Sequence, residues 1–117
     1  MRKTRQSSSV SLSIKLPPKR VREKFLIIYE FEGCQKASDF LAEYYGVIRM
    51  KIILDGRRVS KKCYGVYFKN KAYFTKDGLK KRVVLHELYQ HLVEANGFEL
   101  QNRTEEKEAN NYSRRFF

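Results

Sequence analysis

From Ala37 to Tyr45 the apolar residues Ala37, Phe40, Leu41, Tyr44 and Tyr45 recur at i, i+3, i+4, i+7 and i+8. That spacing lines one side of a helix, and Gly33 before it and Gly46 after it supply a turn and a C-cap. The period then shortens. Val47 to Leu54 reads as a strand ended by Asp55-Gly56, and a second strand runs from about Arg58 to Phe68. Lys69-Asn70 is a hairpin turn into a third strand, Ala72 to Thr75. Helical spacing returns from Leu79 to Ala95, where Val84, Leu85, Leu88, Leu92 and Ala95 share a face and Asn96-Gly97 closes the element. A last helix is marked by Thr104, with Lys107 where a capping-box acid would fall and with Glu105 and Glu106 suited to its N-terminal dipole; it runs to about Arg115. Lys24 to Glu32 fits two templates. Phe25, Ile27, Tyr29 and Phe31 alternate as in a strand, whereas Val21, Phe25, Ile28 and Tyr29 fit a helix stripe.

These elements predict an α+β fold with a small antiparallel or mixed sheet of about three strands. Residues 1–18 are Ser-rich, basic and closed by Pro17-Pro18, so they form an arm, and 19–117 form a single domain. A chain of 117 residues with 42% hydrophobic content, eight Phe and eight Tyr has enough apolar surface for one core. No apolar run approaches the roughly 20 residues that cross a bilayer, and no signal-like stretch follows the basic start. The expectation is a cytoplasmic protein without a membrane partner. Cys34 and Cys63 form no C-x-x-C pair and read as free thiols.

Lys and Arg number 25 against 13 acids, a formal charge of +12. Such a field attracts polyanions, and Arg2, Lys3, Arg5, Lys19, Arg20, Lys61, Lys62, Lys80, Lys81 and Arg82 are candidate phosphate contacts. One function class is therefore a non-catalytic basic module that binds nucleic acid or an acidic protein partner.

A different class is suggested by Val84-Leu-His86-Glu87-Leu-Tyr-Gln90-His91 on the long helix. In the zinc-peptidase pattern H-E-x-x-H, side chains at i and i+4 lie about 40° apart around the helix and reach one metal, and the Glu is the general base. Here Gln90 stands at the second position. Its neutral amide is a poorer zinc ligand than imidazole. His91 is rotated by about 140° from His86 and faces elsewhere.

Gly65-Val-Tyr-Phe68, Lys71-Ala-Tyr-Phe-Thr75 and Arg82-Val-Val-Leu-His-Glu-Leu88, followed by Glu106-Lys-Glu-Ala-Asn110 and Tyr112-Ser113, resemble small gluzincin-type metallopeptidases. These include the minigluzincins and the ImmA/IrrE family. The resemblance covers roughly residues 35–115. It implies a zincin-like sheet packed on an active-site helix and a glutamate helix, with His86, Gln90 and Glu106 as metal ligands and Glu87 as catalytic base. It also implies Zn2+, held weakly or not at all, a peptide or protein substrate added to an edge strand near Ala72 to Thr75, and Asn110 orienting a ligating group. Glu105 and Glu108 are alternative third ligands, although acids in a first helical turn are commonly solvated. Tyr89 and Tyr112 either contact substrate or belong to the core. Arg114-Arg115-Phe116-Phe117, expected to lie outside the core, would occupy the cleft as a latency device. The function implied is a metallopeptidase-like protein, latent or impaired at Gln90.

Overall fold

A computed structural model describes residues 14–55, 57, 59, 64–76, 79–97 and 102–117. Most of the basic arm, Gly56, Lys61, Lys62, Cys63 and much of the expected strand before Gly65 lie outside them. Helix α1, Lys19–Glu32, starts directly after the proline pair, and the Val21 and Arg22 N–H groups both donate to the Pro18 carbonyl at 3.0 Å. The doubly readable segment is therefore helical. Its buried row is anchored by Phe25 with Val21 and Ile28, while Ile27 and Phe31, which made the strand-like alternation, are 58% and 81% exposed.

Gly33 alone separates α1 from α2, Cys34–Tyr45. Its φ of 98° reverses the chain in a conformation where a Cβ would be strained, and its N–H donates to the Ile28 and Tyr29 carbonyls. Helix α2 buries Ala37 and Leu41 of the expected stripe and also Ala42, whereas Tyr44 of that stripe is 46% exposed, and Gly46 caps the helix in the left-handed region. Ile14 and Leu16 pack against the same core, and the Tyr45 hydroxyl donates to the Lys15 carbonyl at 2.6 Å.

Strands β1 (Lys51–Leu54), β2 (Gly65–Phe68) and β3 (Lys71–Phe74) form one sheet in the order β1-β3-β2. The β2–β3 pair is the expected hairpin, turning through Lys69 and Asn70 with φ 47° and 67°, the paired positive values of a tight two-residue turn. β1 is parallel to β3, with Lys51 opposite Lys71 and Leu54 opposite Phe74, so the sheet is mixed. This corrects the edge assignment. Residues 72–75 sit in or beside the central strand, and among the described residues the open edges are β1 and β2.

Edge β1 is partly closed by a side chain. Residues 51, 53 and 55 bond toward β3, which turns the groups of 50 and 52 outward. Gln35 meets both of them, donating from Nε2 to the Met50 carbonyl (2.9 Å) and accepting the Ile52 N–H at Oε1 (2.8 Å).

Helix α3, Lys81–Ala95, packs on the sheet through β2 and carries the core residues Val84, Leu85, Leu88 and Leu92. Helix α4, Asn102–Arg115, lies along α3. No helix among the described residues is long and apolar enough to cross a membrane. Tyr89 and Tyr112 are buried against each other, ring centroids 5.2 Å apart, so both are core residues.

The C-terminal expectation fails at Phe116, which is 1% exposed and packs edge-on against Phe25 at 5.0 Å. Only Phe117 is half-exposed, and Arg22 holds the end to α1 through the Arg115 and Phe116 carbonyls. The core had a vacancy between α1 and α4 that helical spacing alone does not reveal. Phe116→Ala is accordingly expected to destabilise the fold by about 3–5 kcal/mol, measurable by urea denaturation. A loss below about 1 kcal/mol would contradict this packing.

Candidate active site

Between the first turns of α3, the edge of β2 and α4 lies a cleft of about 780 Å³. β2 approaches α3 closely because residue 65 is Gly: a Cβ there would stand 2.8 Å from the Phe74 ring and 3.3 Å from Val83. Tyr64 accepts from the Thr75 N–H through its carbonyl, and antiparallel pairing alternates, so residues 64, 66 and 68 bond to β3. The backbone groups of Gly65 and Tyr67 therefore point to the open edge beside the cleft.

On the helical wall, His86 and Gln90 are one turn apart and project toward Glu106 on α4. His86 Nε2 lies 3.0 Å from Glu106 Oε2, and Gln90 Nε2 donates to Glu106 Oε1 at 2.6 Å. The two side-chain nitrogens are 3.5 Å from each other. His86 and Gln90, paired by their spacing, thus meet Glu106, which the resemblance implied, at one point. Because a carboxylate only accepts, His86 and Gln90 both donate, and this set closes on itself by hydrogen bonds.

Glu87, on the adjacent face, is 5% exposed and also lines the cleft. Burial, and then the neighbouring Glu106 carboxylate, push its pKa up to about 8. At neutral pH it therefore holds its proton. Glu105 is also raised, by burial first and then by Glu106 and Glu94, against the opposing pull of His86. Neither Glu105 nor Glu108 lines the cleft.

A divalent cation at the meeting point would take the place of the His86 Nε2 proton and be held by that nitrogen and the Glu106 carboxylate. Gln90 presents its amide nitrogen there, and must turn over to offer oxygen. The described residues contain no group of three or more His, Cys, Asp or Glu that could hold a metal ion. The donors present are therefore one imidazole, one carboxylate and one neutral amide, a poorer set than the three protein ligands of a catalytic zinc centre.

His91 is fully buried on another face, as its spacing predicts, with Nε2 donating to the Ile48 carbonyl at 2.7 Å and Nδ1 3.0 Å from the Tyr67 hydroxyl. Asn110 lines the cleft one turn beyond Glu106. Its backbone carbonyl accepts from the Ser113 hydroxyl at 3.0 Å. The C-terminal residues 114–117 are not among the cleft lining, which leaves the latency expectation without support. What sequence spacing missed is the cleft's other wall, Tyr64 to Tyr67, because strand alternation does not say which edge stays open. No family model, curated protein or solved structure matches the chain.

Proposed function

We propose that this chain is a minimal zinc-metallopeptidase-like protein of the gluzincin type, impaired in catalysis because Gln90 replaces the second histidine. The observation that carries this reading is the convergence of His86, Gln90 and Glu106, from two helices, beside a buried carboxylic acid in a cleft bordered by a strand edge. Zinc held by His86 and Glu106, with Gln90 as a poor third ligand, would supply Lewis acidity toward a peptide carbonyl and toward water.

The chain's own residues do the rest. The outward Gly65 and Tyr67 amide and carbonyl groups bind an extended peptide by strand addition, the role expected of the segment near Ala72 to Thr75 and here transferred to β2. The apolar wall of the cleft excludes water around the reacting bond. Glu87 takes a proton at its carboxylate, which requires that it first be ionised. In the metal-free protein that happens only as the pH passes about 8. The missing ligand thus points to impaired turnover, and a bound cation would be needed to draw the proton from Glu87 at neutral pH.

Calorimetric titration of the chelator-treated protein with zinc tests the reading. Weak, roughly equimolar binding that vanishes in His86→Ala and in Glu106→Ala is expected. Binding that survives both substitutions, or no binding at millimolar zinc, overturns it.

A further inference from the structure

The cleft is electrically lopsided. At one end stand His86, Glu87 and Glu106; at the other, where α3 begins, the lining is Lys80, Lys81 and Arg82 together with Tyr64. Lys81 is already engaged, 3.6 Å from Glu30 and over the Tyr29 ring. Lys80 lies over the Tyr64 ring at 6.0 Å, a contact that leaves its charge uncompensated. Arg82 is exposed and makes no ion pair among the described residues. Arg82, His86 and Gln90 are spaced i, i+4, i+8, so the guanidinium stem stands one turn before the imidazole on the same row.

We infer that the cleft selects peptides bearing a carboxylate about two residues from the position held by His86 and Glu87, with Arg82 and Lys80 as the counter-charges. This rests on the proposed reading of the cleft as a peptide site. Four helical residues advance ~6 Å, close to the advance of two residues in an extended chain at ~3.3 Å each. A peptide laid along the β2 edge therefore carries its side chain two positions from the reacting bond over Arg82. The planar guanidinium accepts a carboxylate through two parallel N–H donors, and Lys80 adds a point charge. The carboxylate has two sources: an Asp or Glu side chain, or the peptide's own C-terminus. Many other cations among the described residues are simply exposed, but these two are focused into a concave site with one low-dielectric wall, where their field acts on a bound group.

The experiment is fluorescence anisotropy with labelled, otherwise neutral decapeptides, in 0.15 M salt and without metal. One series carries a single Glu stepped along an amidated peptide, a second has a free C-terminus and no Glu, and a third replaces Glu by Lys. Roughly tenfold tighter binding is expected for Glu at one register than for the neutral amidated peptide. Arg82→Glu should reverse the order in favour of the Lys peptide. Lys71→Glu, which makes the same charge change on an exposed site outside the cleft, should leave it unaltered.

Preference only for the free C-terminus assigns the contact to a terminal carboxylate, and preference for an internal Glu to a side chain; either supports the inference. Peptide binding with no dependence on Glu, or equal losses in Arg82→Glu and Lys71→Glu, overturns it while leaving the cleft a peptide site. No binding by any peptide overturns both, and zinc titration then stands as the separate measure of the metal site.

Discussion

Gln90→His is expected to tighten zinc binding by roughly 100-fold. Structural zinc sites with four ligands reach apparent binding free energies of about 10–16 kcal/mol, so one good ligand is worth about 3 kcal/mol, or about two orders of magnitude. The substitution supplies that ligand where the amide now stands, one turn from His86 and 2.6 Å from Glu106. Competition against a chromophoric chelator measures it. Adding Glu106→Ala to the same protein should abolish most of the gain, because two imidazoles on one helix lack the carboxylate from α4. An unchanged zinc affinity in Gln90→His would mean that His86 and Glu106 do not surround a common cation, and the metallopeptidase-like reading would fall.

The second large effect concerns stability against pH. In the unfolded chain Glu87 ionises near its ordinary value of 4.5, whereas in the folded metal-free protein it keeps its proton up to about 8. Between those values the folded state binds more protons than the unfolded state, so stability declines as pH rises. The contribution is fully present below about 4.5, fades at no more than about 1.4 kcal/mol per pH unit through the window, and is gone above about 8. Glu87→Gln keeps the neutral shape and removes the titration. The variant should match the parent near pH 4.5, exceed it by a few kcal/mol at pH 8.5, and show a flatter profile in denaturant titrations run with a chelator. Parallel profiles for the two proteins would show that Glu87 is not held in its protonated form.

The helices α2 and α3 were legible because their apolar residues keep one period and are bounded by Gly46 and Gly97, both at positive φ. The meeting of His86 with Gln90 was legible because helical geometry puts them on one row, whereas spacing does not choose among Glu105, Glu106 and Glu108, and Glu106 was named only by the resemblance. Helix α1 resisted because Ile27 and Phe31 are apolar yet exposed, which added a false second period to the true one. The sheet order resisted because a hairpin signal identifies β2 and β3 as partners but carries no information about the side on which β1 joins. The result is the parallel β1–β3 pair, which moved the open edge from β3 to β2. Phe116 resisted because its burial depends on a gap against Phe25, ninety-one positions earlier in the chain.

Gln35 gives the sheet a handed outlook. By imitating a neighbouring strand at Met50 and Ile52, its amide leaves the β1 margin a poor template while the β2 margin stays receptive. With one receptive margin among the described residues, two copies can pair about a two-fold axis, and such a pair has no second receptive margin there from which to grow. Fibrous stacking through successive margins would require that amide to let go, so Gln35→Ala is the place where this small sheet would begin to polymerise.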